Sequence, residues 1–198
     1  MSEASAAHRP PPGFVDTPPP PIKAAERLVA RVEEIDIDRP LATVIAAADA
    51  MSLEDAIDQG GSLPHVVATR NLTPGPFDAP GSRRIVFLSD GSTLVEQILE
   101  KRRTDTEYRF RYVVWNYGTR AARPILYGLG DFHYTATSEA RTRIRWVYAF
   151  ELRRDRFPGV LGPLGDWLLK VAFLDRDYAK MMQGTLRRTR AAAEAWRT

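Results

Sequence analysis

At 198 residues the chain has length for one domain plus an extension, and with no cysteine it excludes disulfide and thiolate chemistry. Hydrophobic residues at 44% and charged residues at 27% match ordinary globular usage. The formal charge of +3 is spread through mixed stretches such as "EKRRTDTEYRFRY", which excludes the concentrated basic surface of a nucleic-acid binder.

The three histidines, His8, His65 and His133, have no metal-ligand spacing, so neither a metal nor another cofactor is expected. No apolar run reaches the ~18 residues of a membrane span. The stretch "MSEASAAHRPPPGFVD" has no apolar signal core, and a cytoplasmic protein is expected.

Residues 1–21 hold seven of the fifteen prolines, with few apolar side chains beside them, and predict a disordered proline-rich arm. A sharper reading makes the arm a ligand for an SH3-type protein partner. Residues 22–32, "IKAAERLVARV", read as a lead-in helix or linker. "EEIDID" alternates, with Ile35 and Ile37 on one face, and predicts a strand ending at Pro40. "PLATVIAAADAM" predicts a short helix. "SLEDAID" predicts a second, with Ser52 as N-cap, Asp55 three residues on, and Gly60-Gly61 as its stop.

The following segments are strands. "HVVATRNLT" is one, and "SRRIVFLS" and "STLVEQILEKR" form a hairpin over Asp90-Gly91. "EYRFRYVVWNY", "LYGLGDFHYTAT" and "RTRIRWVYAFEL" follow, and their short links favour antiparallel neighbours. A long helical pattern closes the chain: Trp167, Leu168, Val171, Leu174, Tyr178, Met181, Met182, Thr185, Leu186 and Trp196 recur at three- and four-residue steps. A bend is expected near Asp175-Arg176-Asp177. Strands on one side with a covering helix make an α+β arrangement.

This order resembles the START-like helix-grip superfamily, also called SRPBCC. The likeness rests on "GSRRIVFLSDGSTLVEQILE" (81–100), "TRIRWVYAFEL" (142–152) and "YAKMMQGTL" (178–186), and covers roughly residues 33 to 195. It implies a seven-stranded antiparallel sheet wrapped around the long C-terminal helix, with two short helices after the first strand and an apolar cavity between sheet and helix. Residues 33–198 would form that ligand-binding domain. It also implies use as a binder of lipids, hormones, polyketides or other hydrophobic small molecules, and some relatives are polyketide cyclases or aromatases. The extra N-terminal residues depart from the family pattern.

Strand alternation assigns the inner face independently. Tyr108, Phe110 and Tyr112 oppose Glu107, Arg109 and Arg111; Phe132 and Tyr134 oppose Asp131 and His133. Ile144, Trp146, Tyr148 and Phe150 oppose Arg141, Arg143 and Arg145. A structural core prefers Leu, Ile, Val and Phe, because each buried hydroxyl needs a partner. Tyrosines gathered on one inner face suit a pocket with polar handles.

Arg84 shares parity with Val86, and Glu96 with Leu94 and Ile98. A two-residue turn would put the two charges on opposite faces. A three-residue turn pairs them on one face, and is preferred because the family pattern puts both inward. They are then either a register-fixing ion pair or polar anchors for a ligand.

The ligand-binding candidates are therefore Arg84, Val86, Glu96, Tyr108, Phe110, Tyr112, Phe132, Tyr134, Trp146, Tyr148 and Phe150. Asp131 and His133 could cooperate as base and orienter only if they turned inward, and such a pair more often faces solvent. Gly128 and Gly130 read as strand kinks rather than a phosphate cradle. No hydrolase, nucleotide-binding or metalloprotease motif occurs.

The preferred function is binding of a hydrophobic small molecule or lipid without assured chemistry. The alternative is a polyketide cyclase, aromatase or dehydratase using Glu96, Arg84 and the inner tyrosines. A third reading is an interaction module recruited through the arm.

Overall fold

In the computed structural model, which describes residues 8–24, 28–58 and 63–197, the chain begins with strand β1 (Val29–Ile37) and two short helices, α1 (Leu41–Ala50) and α2 (Leu53–Ala56). Six strands follow: β2 (Val66–Asn71), β3 (Arg83–Leu88), β4 (Thr93–Arg103), β5 (Glu107–Trp115), β6 (Ile125–Ser138) and β7 (Arg141–Leu152). A 3-10 turn (Gly159–Leu161) leads into α3 (Pro163–Leu169), a π-helical stretch (Lys170–Tyr178) and α4 (Ala179–Ala195). The wide turns take in Asp175-Arg176-Asp177, where a bend was expected.

The seven strands form one antiparallel sheet in the order β1-β7-β6-β5-β4-β3-β2. Only β1 and β7 are joined across the chain; the rest are neighbours in sequence. The lead-in helix does not form at its C-terminal end, because Val29 to Val32 already pair with β7. Residues 25–27, within the same expectation, and Gly60-Gly61, the expected stop of α2, lie outside the described residues. The N-cap of α2 is as expected: the Ser52 hydroxyl accepts the Asp55 amide at 3.1 Å and donates to its carboxylate at 2.8 Å.

The helices lie on one face of the sheet. Met181, Met182, Leu186 and Ala193 of α4 are buried with Ile37, Val44, Ile45, Ile144 and Trp146. Thr185 Oγ1 accepts the Asp58 amide at 3.0 Å, and Gly184 leaves room for the Asp58 carboxylate, which ties α4 to the end of α2. The helical stripe is not uniformly inward: Trp167 and Val171 face solvent, and Trp196 is partly exposed.

The other sheet face is wet near β1 and β7. There Arg143 grips Asp36 through two hydrogen bonds of 2.9 and 3.1 Å, and Arg145 meets Glu34 at 3.2 Å. Farther along, the same face carries a second apolar cluster of Val95, Val113, Trp115, Tyr127 and Leu129. Phe14 and Ile22 pack on it. Backbone oxygens of Thr17 and Val15 accept from Trp115 Nε1 at 3.1 Å and Asn116 Nδ2 at 3.0 Å. Lys23 bonds Glu151 at 2.7 Å, and its amide donates to the Tyr127 hydroxyl at 2.9 Å. Phe14, Val15, Thr17 and Ile22 thus have partners on the sheet. A second apolar face on the sheet supplies the burial that proline-rich composition alone did not promise. Residues 1–7 lie outside the described residues.

Candidate ligand-binding cavity

Between the inner sheet face and the helices lies a cavity of about 1040 Å³. All eleven sequence candidates stand on its wall: Arg84, Val86 and Glu96 from the β3–β4 hairpin, Tyr108, Phe110 and Tyr112 from β5, Phe132 and Tyr134 from β6, and Trp146, Tyr148 and Phe150 from β7. Period-2 alternation places them there, since β5, β6 and β7 pair in plain register through their centres. Phe132 stacks on Trp146 with ring centroids 4.4 Å apart, and Tyr112 meets Tyr148 edge-on at 6.2 Å.

The hairpin takes the three-residue form. Leu88 and Ser92 close it around Ser89, Asp90 and Gly91, with Gly91 at φ +78°, and Arg84 pairs directly with Glu96. Arg84 Nε and Nη2 both reach Glu96 Oε2 at 2.7 Å. The Phe77 ring covers the guanidinium, with its centroid 4.1 Å from Cζ. The pair is nearly buried and puts two opposite charges on a largely apolar wall.

The wall also contains residues that alternation did not predict. Asn116 adopts a left-handed backbone (φ +57°), which resets the alternation after β5 and turns Tyr117 inward. A bulge between Ile98 and Glu100 shifts β4 by one, so Lys101 joins the wall. Asp49 of α1, Met51 and Ile57 just after α1 and α2, and Phe173 and Tyr178 from the C-terminal helical run also line the cavity. Only Tyr178 had a sequence signal, as part of the helical stripe.

Burial raises the phenol pKa of Tyr112, Tyr148 and Tyr178 well above the ordinary value, and those of Tyr108, Tyr117 and Tyr134 are raised by the same desolvation. The phenols are therefore neutral donors and acceptors at physiological pH. Three buried polar atoms of wall residues are left over: His65 Nδ1, Trp146 Nε1 near the Tyr112 hydroxyl, and the Tyr117 hydroxyl near Tyr148; none completes a well-aligned hydrogen bond.

Gly128 and Gly130 make space for rings. A Cβ on Gly128 would lie 2.8 Å from the hydroxyls of Tyr117 and Tyr148, and one on Gly130 would fall within the Tyr112 ring. Asp131 and His133 face outward. Asp131 receives Arg109 at 2.8 and 3.1 Å, and His133 Nε2 lies 3.1 Å from it, in a solvent-side ladder away from the cavity. Among the described residues no cluster of histidine and carboxylate side chains could hold a metal, and no helix is long and apolar enough to cross a membrane.

This architecture is a helix-grip fold. No family model matches the chain, and no curated protein does either. Solved structures do. The crystal structure of Ara h 8.0201 is 14% identical, with a TM-score of 0.57 over 84% of this chain and 98% of that one. The di-domain ARO/CYC StfQ from the steffimycin biosynthetic pathway is 16% identical, with a TM-score of 0.58 over 86% of this chain and 52% of that one. Norcoclaurine synthase from Thalictrum flavumn, a point mutant with a transition-state analogue, is 10% identical, with a TM-score of 0.53 over 81% and 92%. At these identities the shared property is the fold.

Proposed function

We propose that the protein binds a hydrophobic, ring-bearing small molecule in the cavity between sheet and helices. The observation that carries this reading is the cavity itself, about 1040 Å³ and walled by aromatic rings. Leaving even a third of that volume dry and empty would cost roughly 8 kcal/mol at ~24 cal/mol per Å³, comparable with the whole stability of a domain. Something must occupy it. Water is poorly held along the stretch of Phe110, Phe132, Trp146 and Phe150, because it needs two to four polar partners.

The wall's polar groups select the occupant further. Trp146 Nε1 offers an unused donor, Tyr117 an unused hydroxyl, and Arg84–Glu96 a charged edge. A planar molecule with a carbonyl or phenol oxygen satisfies these better than a plain alkyl chain. Native mass spectrometry of the purified protein should show a retained hydrophobic compound. Thermal denaturation against a panel of polyphenols and lipids should raise the melting temperature with the polyphenols foremost. No retained compound and no shift with any panel member removes the reading.

One observation favours a second reading, a cyclase- or dehydratase-type reaction: a carboxylate, Glu96, stands in the cavity within a cluster of neutral tyrosines, as the likeness to StfQ would allow. Positioning of a flexible substrate would then be the main catalytic contribution. Glu96→Gln should abolish turnover of a polyketide-like substrate while the protein stays folded; unchanged turnover removes Glu96 from any reaction.

A further inference from the structure

Of the ten large hydrophobic residues exposed among the described residues, six fall between residues 157 and 171: Phe157, Val160, Leu161, Leu164, Trp167 and Val171. Phe157 is 68%, Leu164 55% and Trp167 56% exposed. Single exposed apolar residues are ordinary; a run of six on successive turns is not. Leu164 and Trp167, three apart in α3, share its outward face, and the exposed Val160 and Val171 flank that helix on either side.

The helix α3 is apolar on both sides. Leu168 and Leu169 line the cavity, while Leu164 and Trp167 face solvent. Its one charged residue, Asp166, accepts from Arg154 Nη1 and Nη2 at 2.9 and 3.1 Å. A helix without a polar face belongs either in a protein interior or at an apolar phase. This helix is also part of the cavity wall. Phe157 lines the cavity and is exposed, as are Ala121 and Ala172, so the patch lies on the cavity rim.

Beside it, arginines gather in excess of carboxylates. Arg123 of the β5–β6 loop, with Arg153 and Arg156 after β7, lines a small hollow of about 180 Å³ that shares Tyr117, Ala122 and Ile125 with the main cavity. Among the described residues Arg120, Arg123 and Arg153 form no ion pair, and Arg156 has only Asp155 at 3.9 Å. Residues 116–126 and 153–169 together carry five arginines and two aspartates.

We propose that residues 157–171 and the arginines around Arg123 form a docking face for an anionic phospholipid surface. Apolar side chains with a tryptophan suit the headgroup boundary, and guanidinium forks suit phosphate oxygens. Resting on the cavity's proposed role, the arrangement lets a hydrophobic cargo pass from the bilayer into the cavity without crossing water. The paired apolar and cationic groups point to a lipid surface; a second copy of this chain would present the same arginines to each other.

The test is co-sedimentation of the full chain with vesicles of phosphatidylcholine alone and of phosphatidylcholine mixed with phosphatidylglycerol. Partition onto the mixed vesicles should exceed the other by roughly tenfold and weaken with added salt. Leu164→Ser/Trp167→Ser should lose binding to both, and Arg123→Glu/Arg153→Glu should lose the preference for the anionic mixture. These side chains do not line the main cavity, so melting temperatures and the vesicle-free affinity for 1-anilinonaphthalene-8-sulfonate should stay at wild-type values.

No partition onto either vesicle, equal partition of the variants, or a dimer that Leu164→Ser/Trp167→Ser dissociates overturns the docking face. Dye binding without vesicle binding removes docking and leaves the cavity reading standing. Vesicle binding without any cavity occupant does the reverse.

Discussion

Gly130 pairs with Tyr112 across the β5–β6 ladder, and the Tyr112 ring occupies the space that a side chain at Gly130 would take. The ring is stacked between Phe110 and Phe132 and meets Tyr148 edge-on, so it has little room to give way. Gly130→Ala relieves a strand glycine, worth about 0.5–1 kcal/mol, but overpacks the wall at about 1–3 kcal/mol. The clash wins. Urea denaturation should show a net loss of stability, with weaker dye binding because the displaced ring walls the cavity. A more stable Gly130→Ala protein would mean that the ring swings freely.

Arg84 and Glu96 form a nearly buried pair, so removing one charge should cost more than removing both. Glu96→Gln leaves the Arg84 guanidinium short of its partner and should lose about 2–3 kcal/mol. Arg84→Met/Glu96→Leu should recover most of it. A double-mutant cycle by chemical denaturation measures the coupling, and additive losses would show that the pair contributes nothing.

All seven tyrosines have phenol pKa values raised first by burial, Tyr127 included. A raised folded-state pKa favours the protonated form in the folded state. The resulting stability is fully present below the ordinary phenol pKa near 10 and is lost as pH rises beyond it. Phenolate absorbance at about 295 nm should therefore stay flat past pH 10 and then rise together with unfolding followed by circular dichroism. A gradual rise centred near pH 10, with the fold intact, would contradict the buried placement.

At the acid end the sign reverses. The hydrogen bonds from Arg143 to Asp36 and from Arg31 to Asp175 lower both carboxyl pKa values. Their contribution is present above the ordinary carboxyl range and disappears as pH falls through it. Both sites are exposed, so salt should shrink the effect. Asp36→Asn should flatten the dependence of the urea midpoint between about pH 5 and 3; an unchanged profile would show the Arg143 pair to be inert.

Trp115 holds the arm through one indole hydrogen bond to the Thr17 carbonyl. Trp115→Phe keeps most of the apolar area and removes the donor, at about 1 kcal/mol. Hydrogen exchange should quicken in residues 14–20 more than in β5 itself. Equal protection in both proteins would show that apolar packing alone retains the arm.

Much of the cavity was legible because a strand has period two. Once Tyr108, Phe110 and Tyr112, or Trp146, Tyr148 and Phe150, stand on alternate positions, they must share a face, whatever else the chain does. The charged ladder of Arg109, Asp131 and His133 followed from the same rule. Local turn chemistry at Asp90-Gly91 announced the hairpin. It took the family resemblance to choose the three-residue turn that pairs Arg84 with Glu96.

What alternation could not supply lies where the backbone breaks period. Asn116 in the left-handed region turns Tyr117 inward, and the β4 bulge brings Lys101 in. The helical stripe was visible as apolar, yet it does not say which partner each residue meets, so Trp167 and Val171 read like Leu174 although they face solvent. Nor does proline-rich composition reveal that a second apolar face, built from Val95, Val113, Trp115, Tyr127 and Leu129, exists to receive Phe14 and Ile22. Side-chain alternation is a property of each strand alone, fixed by its own backbone. A hollow, its rim and the face under the arm arise only when distant segments close on one another.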